Sequence, residues 1–420
     1  MLKSIHNNFF IHLFFYINII YSFLWFTLDR IAGLPITYIP YILLLLVSIF
    51  FSITFKKKRI TYIKKSDLMI IFLFLYLTFQ PLLILASGNF FYLNEFFKDY
   101  ILITYYIMGY FCIVHILSSI HQKKEIIEKI IYFTMLICII GTLRFFIIDN
   151  YLLESPPSYF FNIIPVMEYR FIEVLIFLFG FSFSINSYFS KKDRKSLAQA
   201  MFFLILMLYC GSRTGLLAIV VALSFNIFKE KQMNLTLFIT VFFASILLID
   251  SITSQVIVNR LERLSEISLF TQLNLDLAIE EDRDVRRILY IKGGIEMFLN
   301  DFWFGTGLGS FQEAFPTYLM AQVGVEEVAR PHNMYVSIAA TSGVFGVFFL
   351  FGWILVLIKG SFNKNSLIDK SLVTFGISIL VLSSGYDLET SPIFWIFMAI
   401  LVGLSRNRSL INNFVYLKKN

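Results

Sequence analysis

LAQAMFFLILMLYC, residues 197–210, and TGLLAIVVALSFNIF, residues 214–228, are two apolar runs separated by Gly211-Ser212-Arg213. Whether the chain crosses a membrane once or twice here fixes the number and the orientation of the spans around it. Lys and Arg decide the matter, because basic residues gather in loops on the cytoplasmic side. Working outward, apolar runs near membrane-spanning length fall at 9–28, 36–55, 68–86, 100–120, 130–148 and 171–189 before this stretch, and at 235–249, 334–358, 371–386 and 393–404 after it. Every second joint is basic: Lys56-Lys57-Lys58-Arg59 with Lys64-Lys65, Lys123-Lys124, Lys191-Lys192 with Arg194-Lys195, Lys229 with Lys231, and Lys359 with Lys364. The alternate joints hold little more than Arg30, Lys98, Arg170 and Arg213. The alternation survives only if Arg213 marks a turn between two spans. The expected fold is therefore an all-α polytopic membrane protein with about 12 transmembrane helices. Both termini are expected in the cytoplasm, as the basic tail Arg406, Arg408, Lys418 and Lys419 also suggests.

Composition agrees with this reading. Of 420 residues, 58% are hydrophobic and 15% charged, against roughly 25% charged in soluble domains, and the mean hydropathy is +0.76. A soluble chain could not hide so much apolar surface. A net charge of +7 would suggest nucleic acid in a soluble protein, but here the basic residues sit in short loops and carry orientation, so no nucleic-acid partner is expected. Cys112, Cys138 and Cys210 lie inside apolar runs with no paired spacing and no partner His, which points to neither a disulfide framework nor a zinc site. The first apolar run lacks a small-residue cleavage site, so a removable signal peptide is not expected.

Four regions follow: N-terminal spans in 1–196, the spans flanking the Arg213 turn in 197–249, a long outward-facing loop in 250–333, and C-terminal spans in 334–420. Loops of this length in compact folds are usually functional or disordered, and this one is not low-complexity. Within it, Ile288, Ile291, Ile295, Phe298 and Leu299 recur at helical spacing, which suits an amphipathic helix over 284–300 lying on the membrane surface.

Ionisable residues beside spans need explaining. Arg144, Asp149, Glu154, Glu168, Arg170, Glu173, Arg213, Asp387 and Glu389 all fall at the outer ends of helices or in outer loops, which suggests a site opening outward. Three clusters stand out. In Gly211-Ser212-Arg213-Thr214-Gly215 a tight turn fixes a guanidinium that could clamp a phosphate with two prongs, although a flanking arginine snorkelling to headgroups would look similar. Arg283, Arg286 and Arg287 gather on neighbouring helical turns behind the acidic run Glu280-Glu281-Asp282; a solvated face is the plainer reading. Arg330-Pro331-His332-Asn333-Met334-Tyr335 ends the long loop where the next span begins, with Asn333 suited to cap it. His332 could serve as general base towards a hydroxyl, or be structural. Gly305-Thr306-Gly307-Leu308-Gly309 does not have dinucleotide spacing, so no nucleotide site is expected.

In this order the clusters resemble the O-antigen ligase and polymerase superfamily of bacterial membrane glycosyltransferases. The likeness rests on Ser212-Arg213-Thr214-Gly215, an Arg (286 or 287) shortly before aromatic Tyr290, Phe304-Gly305-Thr306-Gly307-Leu308-Gly309-Ser310-Phe311, and His332-Asn333-Met334-Tyr335 leading into a span with Gly343 and Gly346. It covers roughly 197–358 and is similar to the family in the first half only in being helical. The resemblance implies an enzyme of the inner membrane whose site faces the periplasm, and which moves a glycan from undecaprenyl diphosphate to a sugar hydroxyl of an acceptor glycan or glycolipid, with inversion and without metal or cofactor. It implies that Arg213 and Arg286 or Arg287 hold the donor diphosphate, that His332 receives the acceptor proton, and that Arg330, Asn333 and Tyr335 line the substrate site. Family members usually carry Trp where this chain has Tyr290, which leaves the choice between Arg286 and Arg287 open. The lipid bilayer and other polysaccharide-assembly proteins are the further partners implied. A repeat-unit polymerase is the preferred reading, with a ligase delivering glycan to lipid A–core as the alternative. A lipid-linked sugar flippase or transporter would require mid-bilayer polar groups, inverted repeats or broken helices, none of which the sequence displays.

Overall fold

The computed structural model of the chain describes residues 64–88, 91–118, 123–144, 170–210, 212–229, 283–318 and 330–406. The expected spans at 9–28, 36–55 and 235–249, both termini, and the loop residues 250–282 and 319–329 lie outside the described residues. Among the described residues the structure is all helical: α1 Lys65–Ala86, α2 Leu93–Ser118, α3 Lys123–Arg144, α4 Arg170–Lys191, α5 Arg194–Cys210, α6 Arg213–Lys229, α7 Arg283–Asn300, α8 Phe311–Tyr318, α9 Met334–Phe362, α10 Leu367–Leu382 and α11 Pro392–Ser405. A 3-10 turn, Leu388–Thr390, precedes α11. Four of these carry stretches long and apolar enough to cross a membrane, in α1, α2, α4 and α9, while α6 and α11 are shorter apolar helices.

The helices sort into central and peripheral ones. Val174 to Phe179 of α4 are at most 1% exposed, and Phe179 stacks on Phe397 of α11 with centroids 4.2 Å apart. Gly180 lets α4 approach α5, since a Cβ there would come within 2.3 Å of the Phe203 ring; small residues permit such close approach in membrane bundles. By contrast α1 leaves Leu68, Phe72, Leu75, Phe79 and Leu82 exposed, a stripe at 3- and 4-residue spacing that suits lipid. Where α1 begins and α11 ends, Asp67 pairs with Arg406, both buried.

In the stretch with which the sequence reading began there are two helices: α5 stops at Cys210 and α6 starts at Arg213. Another expectation changes. The helix foreseen over 284–300 forms as α7, but its packed face is Leu289, Tyr290, Gly293, Gly294 and Met297, whereas Ile295 and Leu299 are exposed. Gly294 lies against Val336 and the carbonyl of Phe302 accepts from Val344 N–H, so α7 runs alongside α9 in the same direction rather than across the surface. Two adjacent glycines allow that approach, and their lack of side chains hides the packed face from a hydrophobicity count.

A second correction concerns broken helices. α9 is interrupted at Gly343, which has φ of 60°, a left-handed geometry that glycine alone adopts freely. The carbonyls freed there are taken: Ala340 by Thr306 N–H, Thr341 by Gly307 N–H and Gln80 Nε2, and Ser342 by Tyr76 Oη at 2.7 Å. The turn between α7 and α8 therefore reaches down beside α9 and fills the break. Irregular backbone at membrane depth is tolerated where protein buries it.

Candidate functional site

Residues 383–389, between α10 and α11, gather the starts of two other helices. Met334 N–H donates to Ser383 O at 2.8 Å, and Asn333 Nδ2 donates to Ser384 O at 3.2 Å. Asn333 also caps α9 as expected, its Oδ1 accepting from the N–H groups of Tyr335 and Val336 at 3.1 and 3.2 Å. The Arg213 turn reaches the same segment: Ser212 Oγ meets Tyr386 Oη at 3.1 Å, Ser212 Oγ accepts from Gly215 N–H, and Thr214 sits against Gly385. The turn bearing Arg213 is thus brought to the end of the molecule that bears His332.

His332 is held in an unusual backbone state. Its φ is 50°, uncommon for a residue with a Cβ, and the Asp387 carboxylate secures it by accepting from two successive N–H groups, His332 to Oδ2 at 3.1 Å and Asn333 to Oδ1 at 3.0 Å. Successive N–H groups around a left-handed residue form a concave anion nest, and here the anion is the protein's own. The imidazole remains 46% exposed, with Nδ1 3.7 Å from Asp387 Oδ2, too far for a hydrogen bond. Partial burial, and second the charge of Arg287, hold the imidazole pKa below its ordinary value. A ring that is neutral near pH 7 and open to one side is able to accept a proton.

The charges around this turn are layered by depth. Exposed Arg287 lies near enough to act on both His332 and Asp387. Arg330 binds Asp99 of α2 at 2.6 Å; burial disfavours its charge, but Asp99, Glu389 and Asp387 hold it protonated. Deeper still, Glu389 is 3% exposed, its Oε1 accepting from Ser337 Oγ at 2.9 Å while Oε2 has no partner among the described residues. Burial first pushes the Glu389 carboxyl upward, and neighbouring Asp387 adds to this. Burial also raises Asp387, against the opposing pull of Arg330 and the two N–H groups.

The residues singled out by sequence fall into two sets. His332, Arg287 and the Arg213 turn share one end of the helices, with the His332 ring and Arg287 open to solvent. Arg330, Asn333 and Tyr335 have protein partners while none of them is fully buried: Arg330 binds Asp99, Asn333 caps α9, and Tyr335 bonds through Oη to Leu380 O at 2.6 Å and stacks on Phe351. Arg286 is on α7, one residue before Arg287. The sequence reading noted Asp387 and Glu389 as outward-facing charges but missed their role in shaping the His332 turn. The available signal was two carboxylates two residues apart between the last two apolar runs.

Residues 198–351 match the family described as O-antigen ligase. The matched stretch includes the Arg213 turn, α7, the glycine-rich turn, His332 and the broken part of α9. No curated protein matches the chain.

Proposed function

From the O-antigen ligase domain carried at residues 198–351, which supports membership of the O-antigen ligase and polymerase superfamily, we propose that this protein is an inverting membrane glycosyltransferase. It takes a glycan from undecaprenyl diphosphate and joins it to a sugar hydroxyl of an acceptor glycan or glycolipid. About 12 spans put both termini in the cytoplasm and the His332 end at the periplasmic face of the inner membrane. The observation that carries this reading is the His332 turn, fixed by Asp387 and bordered by Arg287 and the Arg213 turn.

In the proposed step neutral His332 takes the proton of the acceptor hydroxyl as its oxygen attacks the anomeric carbon. The bond from that carbon to the diphosphate oxygen breaks on the opposite face, which inverts the configuration. The diphosphate leaves with its electron pair, and arginines stabilise the charge that develops on it, the role a metal often plays in such reactions. Arg287 is assigned this part because its charge reaches the His332 turn; Arg213 completes the clamp.

Polymerisation of lipid-linked repeat units is the preferred form of the reaction, and ligation to lipid A–core is the second. Glycan analysis of a deletion strain separates them. Single repeat units at the surface identify a polymerase, and accumulated lipid-linked polymer with no surface glycan identifies a ligase. Unchanged surface glycan and lipid-linked pools would refute both. A transport role gains nothing from the break in α9, because protein donors occupy the carbonyls it frees.

A further inference from the structure

A cavity of about 440 Å³ lies between α3, the end of α4, the start of α5 and the start of α10. It sits at the opposite end of α10 from the His332 turn, about 24 Å away along a 16-residue helix. Its inner wall is apolar, with Ile127, Ile131, Phe183 and Ile368, while its rim carries Lys191 and Lys195. Ser184 lines it, fully buried, with an Oγ that has no partner among the described residues. Buried hydroxyls are usually hydrogen-bonded, and this one, in the wall of the cavity, is available to a polar atom of a ligand.

The rim carries two lysines, and the two carboxylates beside them, Glu128 and Asp193, already have partners. Asp193, the nearest carboxylate in sequence, is occupied as the cap of α5, accepting from Ser196 N–H at 2.6 Å. Glu128 meets Lys191 at 3.8 Å in a pair that is 39% and 47% exposed, an arrangement that contributes little and opens readily. Lys195 lies 4.9 Å over the Tyr132 ring and makes no ion pair among the described residues. Exposed apolar stripes, Tyr132 and Leu136 on α3 and Met201 and Ile205 on α5, flank the cavity and suit hydrocarbon chains.

We propose that this cavity binds an anionic phospholipid with a polyol headgroup, of the phosphatidylglycerol kind. The phosphate lies between Lys191 and Lys195, the headgroup hydroxyls reach Ser184 and its neighbours, and the acyl chains run out between α3 and α5. The lipid would fill the space beneath α3 and hold that helix to α4. This site is independent of the glycosyl-transfer reading.

The full-length protein, delipidated in detergent, is equilibrated with vesicles of phosphatidylcholine containing one-tenth phosphatidylglycerol, re-extracted, and its retained lipid counted by native mass spectrometry. Enrichment of phosphatidylglycerol over its vesicle proportion is expected, with a loss of roughly five-fold for each of Lys191→Ala and Lys195→Ala. Ser184→Leu should fill the cavity and abolish retention, whereas Lys98→Ala, at the other end of the helices, should change nothing. The two lysine variants alter exposed side chains and fold normally, so they test the proposal even if Ser184→Leu does not. Retention in vesicle proportion by the wild type, or undiminished enrichment in both lysine variants, would overturn it. Displacement of the lipid by 10-fold excess inorganic phosphate would also overturn it, by showing a site for free phosphate instead.

Discussion

Two buried clusters, one at each end of the helices, pair arginine with carboxylate and differ in one respect. Where α1 begins and α11 ends, one arginine meets one carboxylate: Arg406 and Asp67, 9% and 2% exposed. Around the His332 turn, partly buried Arg330 binds Asp99, and Asp387 and Glu389 lie near enough to act on its charge. The balanced pair joins two helices. The unbalanced cluster must dispose of surplus negative charge, and does so in two ways: Asp387 accepts from two backbone N–H groups, while burial holds Glu389 towards its neutral form. The outcome is a backbone turn that presents His332 outward. Equal chemistry thus serves cohesion at one end and presentation at the other.

The sharpest way to break this contrast is at His332. Its ring makes no hydrogen bond within the described residues, so His332→Ala should leave abundance and donor binding nearly intact while glycan transfer falls by about 10²–10⁴-fold. A poorly expressed Ala variant and an active His332→Gln variant with an unaltered pH profile would make the residue structural. Arg213→Lys should cost nearly as much transfer as Arg213→Ala, because a point charge cannot reproduce a planar two-pronged contact. Full activity of the Lys variant would mean an ordinary membrane-flanking charge. Of the two arginines on α7, position 287 should be the sensitive one and position 286 the tolerant one, measured as transfer from purified lipid-linked donor.

At the balanced end the expected effect is on stability instead. Arg406→Ala leaves Asp67 buried and unpaired and should destabilise the protein by about 3–5 kcal/mol, whereas an apolar replacement of both partners should be close to neutral. Thermal unfolding in detergent reads this out, and the pH profile of surviving activity should not move. The smallest effect is that profile itself. Activity should fall as pH drops through the His332 pKa, which lies below the ordinary imidazole value, because protonation removes the base. Arg287→Ala takes away one cause of the depression, so the inflection of its residual activity should move upward. An inflection that stays put would separate Arg287 from the turn.

Much of this architecture was legible because apolar runs and capping residues act locally. Met334 starts α9 where Asn333 could cap it, and Arg213 starts α6 where the charge alternation demanded a turn. Boundaries shifted where local chemistry outranked hydropathy: α10 begins at Leu367, not Ser371, because Ser366 Oγ accepts from Asp369 N–H at 3.1 Å and so starts the helix among polar residues. The 383–389 segment was hidden for a different reason. Its bonds to Met334, His332 and Asn333 join positions about 50 residues apart, and a carboxylate accepting backbone N–H leaves no pattern in the sequence of its partner. Tyr335, read as lining the substrate site, stacks on Phe351 and bonds to α10 while staying exposed; an aromatic side chain gives no hint of such partners in the sequence.

The turn that fills the break in α9 has a bearing on motion. Thr306, Gly307 and Val344 stitch the far end of α7 to α9, while Gly294 packs on Val336 higher up. Held at two heights, α7 can neither slide nor swing without carrying α9 with it. The helix that bears Arg287 is therefore coupled to the helix that His332 leads into. The Arg213 turn is fixed in its own way: α6 is tied to α10 by Asn226 Nδ2 donating to Thr374 Oγ1 at 2.9 Å, and Ser212 and Thr214 meet Tyr386 and Gly385, so this turn is carried with α10 and the 383–389 segment.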